Sequence, residues 1–391
     1  MIQHIFKMLW SQRKYFAGIF VEQLLIFIIL MLCMVSVAQK GVQYYSPGLL
    51  QTDHTVYFGY MFRQDRPSSQ SQYDEMGKQM QNVIHNLREK PYVAAISESY
   101  GFLPYLRELY GKDSITIDQR KVEVEICGSD QFGWQVLRPK LIEGEWLTDK
   151  MLPDGSYPSV ITRQLADAVG WQQTVGRKIQ LFSKPFTAVG LIEGKKIAPF
   201  DESAPTIIIS GPLTMQMSRY MEYGARLKPN MQDEFFKDYI QEFHKNITLP
   251  NVEPSMGDLD KQKNNMLITT TLGLIFRSVP TGFFLIFGFI GTFGLFWLYS
   301  RKRLEEFALR RAIGATKNRL VGMVMTESVV LTLLAAIPGL VLAGFIYSWD
   351  GVVVIGVGAT LAVMLLFSVF SAWYPAWKVS RVSPAEALHN E

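Results

Sequence analysis

The placement of four long apolar runs constrains this chain more than any other feature. They cover residues 15–38, 279–299, 320–347 and 352–374. Each is long enough to cross a hydrocarbon core as a helix, which takes about 20 residues. A mostly polar stretch, 39–258, separates the first run from the second. A chain divided in this way is expected to be an α-helical membrane protein with four transmembrane helices and one large domain outside the bilayer. Its 391 residues suffice for both parts.

The first run has a signal-peptide alternative, because Lys7, Arg13 and Lys14 precede it and Ser36-Val37-Ala38 loosely resembles a cleavage site. It is longer than a signal core and carries Glu22 and Gln23, which favours a retained anchor. Leu30-Met31-Leu32-Cys33 places a bulky Leu before the Cys and makes a poor lipoprotein box. Orientation follows from the bases, which collect on cytoplasmic flanks. Arg301, Lys302, Arg303, Arg310, Arg311, Lys317 and Arg319 lie between the second and third runs, Lys378 and Arg381 follow the fourth, and the loop 348–351 has none. Both termini and segment 300–319 are thus expected in the cytoplasm, and 39–258 outside it. At the N-terminus, 1–14 has Ile2, Ile5, Phe6 and Leu9 at helical spacing. This suits either an interfacial helix or a continuation of the first span.

The outer domain mixes helix and strand signals, as α+β domains do. Met76, Met80, Val83, Ile84 and Leu87 form one stripe of a helix over 68–90. Strands are expected at 92–99, 121–126, 159–162, 178–181, 186–192 and 206–209. A short helix with Leu165, Ala168 and Val169 follows the third of these. A longer helix at 232–247 has Phe235, Phe236, Tyr239, Ile240 and Phe243 on its apolar side. The strand-rich section, roughly 126–200, is expected to form one lobe. The flanking sections, 40–125 and 201–255, would form a second. Residues 259–278 read either as a linker or as a stalk helix continuing the second span outward.

Cys33 and Cys127 lie in different environments and are not expected to pair. The histidines at 4, 54, 85, 244 and 389 are scattered, and no metal-ligand spacing, nucleophile-and-base motif or nucleic-acid module is visible. A non-catalytic chain is expected. Asn246-Ile247-Thr248 is a glycosylation sequon, relevant only in a secretory pathway. Glu22, Gln23 and Glu327 are polar groups within spans, where pairing is the expected structural role, and Arg277 is placed to snorkel. Gly288, Gly291 and Gly294 recur every third residue of the second span. They either allow a close helix approach in a dimer contact or reflect general glycine content.

Between the second and third spans, Glu306 to Arg319 reads as a short amphipathic helix. A helix that docks on a partner needs a protruding apolar residue and charges that set register. Phe307, Leu309 and Ile313 suit the first role and Glu306, Arg310 and Arg311 the second, while Gly314 suits a C-cap. Read alone, these bases equally suit the inside-positive bias or contact with anionic membrane lipid.

The run Glu306-Phe307-Ala308-Leu309-Arg310-Arg311-Ala312-Ile313-Gly314-Ala315-Thr316 resembles the cytoplasmic loop of the FtsX-like permease family, the MacB-type ABC transporters. The segment Tyr374-Pro375-Ala376-Trp377-Lys378, continuing to Pro384-Ala385-Glu386-Ala387-Leu388, resembles that family's ending. Gly128-Ser129-Asp130, Leu141 to Leu147, Val160 to Ala166, Val175 to Ile179 and Val189 to Ile192 are similar to its periplasmic domain. The resemblance implies an ABC transporter permease subunit with four spans and a MacB-like periplasmic domain in the inner membrane. It would work as a dimer with a second permease copy or a paralogue, and with ATPase subunits that drive motion of the outer domain. No G-x-x-x-x-G-K-[ST] occurs in these residues. The ATPase, with its ATP and Mg, is therefore expected on a separate chain, leaving this one without a cofactor. A periplasmic adaptor and an outer-membrane channel are implied for efflux of a peptide, an antibiotic-like molecule or a lipoprotein. The alternative is a regulatory transducer that activates a cell-wall hydrolase or sensor kinase and moves no cargo.

Overall fold

The structure, a computed structural model, describes residues 13–63, 70–106, 112–210 and 221–381, with the backbone alone at 13–16 and 70. Most of the expected interfacial helix 1–14 lies outside these residues. Its last two, Arg13 and Lys14, belong to helix α1 (Arg13–Tyr45). The tail beyond Arg381 lies outside them too. The chain divides into two units, Gln43–Thr270 and the paired segments Met1–Val42 and Thr271–Glu391.

Among the described residues of the unit Gln43–Thr270, eleven strands make one mixed sheet. In chain order they are β1 (Thr55–Phe62), β2 (Val93–Tyr100), β3 (Lys112–Ile117), β4 (Arg120–Ser129), β5 (Leu141–Gly144), β6 (Tyr157–Thr162), β7 (Lys178–Leu181), β8 (Lys184–Ile192), β9 (Thr206–Ile209), β10 (Glu222–Leu227) and β11 (Val252–Asp258). They run β11-β1-β10-β2-β4-β9-β6-β8-β5, with β3 on β4 and β7 on β8. The pairs β4–β9 and β6–β8 are parallel. The helices are α2 (Gln70–Arg88), α3 (Gly133–Leu137), α4 (Arg163–Val169) and α5 (Gln232–Asn246).

Periodicity explains the layering. Strand residues two apart share a face, so Val56 and Phe58 of β1 stand beside Tyr223, Ala225 and Leu227 of β10. That face meets the fully buried α2 stripe Met76, Met80, Val83, Ile84 and Leu87, and Phe235, Tyr239 and Phe243 of α5. Phe58 lies 5.0 to 5.5 Å, centroid to centroid, from the rings of Tyr223, Phe235 and Tyr239. The Tyr239 hydroxyl donates to the Gly59 carbonyl, so its burial leaves no donor unmet. A second core joins Val124 and Ile126 of β4, Ile161, Ile207 and Phe186 to α4 through Leu165, Ala166 and Val169. Ala168, expected on that face, points to solvent.

Two tight hairpins set register here. Asp118 and Gln119 join β3 to β4, and Phe182 and Ser183 join β7 to β8, all with positive φ. Two-residue loops with both φ values positive match the twist of the strands they connect. β2 and β4 meet at Ser99–Ser129 and Tyr100–Gly128. Asp130, next in the chain, accepts from Ser97 Oγ at 2.7 Å and from the Glu98 and Phe132 amides at 3.1 Å. The Gly128-Ser129-Asp130 run therefore stitches this short junction.

The other unit holds most of α1, the later part of α6 (Leu259–Lys302), the short α7 (Leu304–Ala312), α8 (Lys317–Ile346) and α9 (Gly351–Val379). Among the described residues, α1, α6, α8 and α9 are the four helices long and apolar enough to cross a membrane. α1, α6 and α9 overrun the apolar segments of the sequence at both ends. α9 continues through Pro375 to Val379, because hydropathy marks the apolar middle of a span and not the ends of its helix. Ile26, Phe27, Leu30, Met31 and Val35 of α1 pack among Ala336 and Ala343 of α8 and Val357 and Met364 of α9. Small residues permit this approach: a Cβ at Gly339 would overlap the Phe27 ring, and one at Gly356 would stand 2.7 Å from Val35 Cα. Polar ties add direction, with Thr332 Oγ1 donating to Gln23 Oε1 at 2.9 Å and the Ser328 and Ser368 hydroxyls 2.6 Å apart.

Candidate functional site

The basic segment between α6 and α8 folds back onto its own bundle. α6 ends at Lys302, Arg303 stands at the N-cap position of α7, and Phe307 and Leu304 insert among Phe296, Tyr299, Leu320 and Val324. Arg303 organises the turn. Its Nη1 donates to both Glu327 oxygens at 3.0 and 2.8 Å and to the Tyr299 hydroxyl at 2.8 Å. Its Nε and Nη2 donate to Glu306 at 2.6 and 3.0 Å. Glu327 is fully buried and Arg303 is 5% exposed. The guanidinium also lies 5.0 Å over the Tyr299 ring and 5.1 Å over that of Phe307.

Glu306 continues the network by accepting from Arg310 Nε at 3.0 Å. Burial alone would raise its carboxyl, but the hydrogen bond and charge of Arg303, with the charge of Arg310, hold it below the usual carboxylate range. Arg311 Nη1 donates to the Ser380 carbonyl at 3.3 Å, tying α7 to the end of α9. α7 then stops at a left-handed glycine. Gly314 has φ +96°, its amide donates to the Arg311 carbonyl, and the Ala315 amide donates to Arg310. This is the paired bonding of a Schellman ending. Thr316 caps α8 two residues later by accepting from the Arg319 amide.

Phe307 is thus not the protruding residue its place in the motif suggests. It is 2% exposed, held under Arg303 and against the bundle. The outward apolar side chains are Leu309, 65% exposed, and Ile313, 80% exposed. The helical period decides this, since Leu304, Phe307, Ala308 and Arg311 share the packed face. Arg303 had stood in the sequence only as one base among several. The signal for its role was Glu327, an acid deep in an apolar run that requires a partner.

The glycine triplet separates in the same way. A Cβ on Gly288 would overlap Ile26 and one on Gly291 the Glu22 carboxylate, while one on Gly294 meets nothing within 4 Å. Two of the three therefore serve packing between α6 and α1 in this chain. Glu22 accepts from Thr292 Oγ1 at 3.3 Å across that contact, and Arg277 Nη1 donates to Ser36 Oγ at 2.9 Å. Cys33 and Cys127 are both free and buried. Among the described residues, no group of three or more His, Cys, Asp or Glu could hold a metal ion.

Residues 25–243 match the MacB-like periplasmic core domain and residues 279–384 the C-terminal domain of FtsX-like permeases. The chain belongs to the FtsX-like, MacB-type ABC permease family. It is similar to the pyoverdine export ATP-binding/permease protein PvdT of Pseudomonas fluorescens, at 24% identity over 68% of this chain and 43% of that protein. It is also similar to the ABC transporter permease YknZ of Bacillus subtilis, at 23% identity over 91% of this chain and 90% of that one. The crystal structure of the periplasmic region of MacB from Actinobacillus actinomycetemcomitans shares 9% identity and a TM-score of 0.37, covering 55% of this chain and 92% of that structure. The chain spans less than half the length of its PvdT relative. Within this family frame, the four apolar helices are transmembrane helices and the mixed-sheet unit is the MacB-like domain.

Proposed function

We propose that this permease couples ATP hydrolysis by an ABC-type ATPase partner to motion of its extracytoplasmic domain, and so drives export. The observation that carries the reading is α7. One face is anchored by Phe307 and the Arg303 network, and the other leaves Leu309 and Ile313 exposed. Glu306, Arg310 and Arg311 fix the helix in place, and Gly314 sets the exit toward α8. ATP and Mg would sit on the partner, and this chain would act as the non-catalytic membrane subunit.

Closure of the ATPases would push on Leu309 and Ile313. Arg303 would pass that displacement to α6, which runs without interruption from Leu259 to Lys302. Only the difference in ATP affinity between two conformations can do this work. The assembly would sit in the inner membrane, with both termini cytoplasmic and the MacB-like domain in the periplasm. A second copy or paralogue completes it. The cargo would be a peptide, an antibiotic-like molecule or a lipoprotein expelled from the periplasm, with an adaptor and an outer-membrane channel. The exporter names among the relatives support cargo export.

The test is purification of the full chain from its native membranes in mild detergent. A co-purifying ABC ATPase that is lost in L309D/I313D supports the coupling reading. Absence of any ATPase under several extraction conditions, or its undiminished recovery with that variant, overturns it.

A further inference from the structure

One side of the bundle carries a feature that the coupling helix does not use. α6 and α9 leave a groove of about 520 Å³ between them, lined by Leu285, Phe289 and Phe293 on one side and Leu366, Phe370 and Tyr374 on the other. From its floor a row of rings runs toward the basic end of the bundle. Phe289 is 6.2 Å from Phe293, Phe293 is 6.0 Å from Tyr374, and Tyr374 is 6.1 Å from both Trp297 and Trp377. The row ends under two cations. Lys378 Nζ lies 4.7 Å over the Trp297 ring, and the Arg381 guanidinium 3.8 Å over Trp377. Both bases are exposed, and among the described residues neither is paired with an acid.

We propose that this groove is a binding site for an anionic phospholipid, with an acyl chain along the Phe289–Phe293 floor and the phosphate at Lys378 and Arg381. Two arguments favour lipid over a helix of a second copy. Helices associate within membranes through small residues and interhelical hydrogen bonds. The groove walls are bulky, and their only polar atoms belong to ring tips such as the Tyr374 hydroxyl. A flexible chain fills such a surface where a helix would leave voids. The second argument is charge. Bases at the end of a groove between spans match a phosphodiester headgroup, and cations stacked on aromatic faces are held in place to meet it. An interfacial aromatic belt would account for Trp297 and Trp377. It does not account for a concave run of Phe and Leu leading to them.

The test is native mass spectrometry of the full chain after exchange with phosphatidylglycerol or phosphatidylcholine of identical acyl chains. The expected result is retention of phosphatidylglycerol over phosphatidylcholine. In K378Q/R381Q the preference falls by about fivefold for each base removed, with phosphatidylcholine retention unchanged. V363W, which puts an indole at a further residue of the groove lining, Val363, and leaves both bases, loses phosphatidylglycerol while its melting temperature shows a folded protein. Equal retention of the two lipids by the unaltered chain overturns the proposal. So does undiminished phosphatidylglycerol in either variant. Oxidative cross-linking of L366C chains to each other in native membranes would assign the groove to a second copy, and would equally overturn it.

Discussion

Arg303 Nη1 stands 2.8 Å from Glu327 Oε2, joining the turn after α6 to the interior of α8 where water does not reach. Taking two charges out of water is costly, so the pair is weak evidence of net stability. Breaking it is another matter. R303M leaves Glu327 buried without its partner and is expected to cost about 3–5 kcal/mol. R303K should be nearly as damaging, because one ammonium cannot serve Glu327, Tyr299 and Glu306 in their fixed directions. Thermal unfolding in detergent checks both, and E327Q should be milder than either.

The two faces of α7 should respond differently to mutation. F307A empties a packed site and is expected to cost about 3–5 kcal/mol of stability. L309D/I313D alters exposed positions, so melting should stay near that of the unaltered chain. Recovery of the proposed ATPase partner should nevertheless fall at least about tenfold, as for loss of interface anchors. Paired melting and pull-down measurements separate the two effects.

Glycines three residues apart should also diverge. G291V drives side-chain atoms into the space of the Glu22 carboxylate and is expected to destabilise by about 1–3 kcal/mol. G294A meets nothing within 4 Å and should gain up to about 1 kcal/mol from helix propensity. Melting curves of the two variants decide this. A loss of stability in G294A that depends on protein concentration would instead place a second copy there.

The MacB-like domain carries a pH dependence at Glu222. Burial pushes its carboxyl up to about 7, against the opposing bonds from the Leu103 and Phe102 amides and Ser99 and the charge of Lys195. A raised carboxyl binds its proton in the folded state after the unfolded chain has released it. The contribution is therefore fully present below the unfolded value of 4.5 and is lost as pH rises through about 7. The loss is on the order of 3 kcal/mol. Hydrogen exchange of β2 and β10 in the full chain should show weakening protection between pH 5 and 8, and E222Q should flatten that slope.

Much of this architecture was legible beforehand. The four spans, the α2 stripe and the pairing of β7 with β8 follow from local patterns, each repeated over enough residues to stand above composition. β3, β10 and β11 were harder to see. Lys112–Ile117 is largely exposed, and Val252–Asp258 holds a Pro and a Gly, so their strand identity comes from partners distant in sequence. Phe307 and Leu309 carry the same apolar signal, and nothing local says which one faces the bundle.

The sequence by itself determined what is periodic or compositional: the spans, the basic loop between them, the class of the outer domain and the family motifs. Only the tertiary structure decided what depends on distance. It paired Arg303 with Glu327 across 24 residues, turned Phe307 inward, and set Gly291 against Glu22, two residues 269 positions apart. Hydrophobic burial is non-directional and reads out as pattern. Buried charges and close backbone contacts require particular atoms within a few ångströms, and those neighbours exist only once the helices have packed.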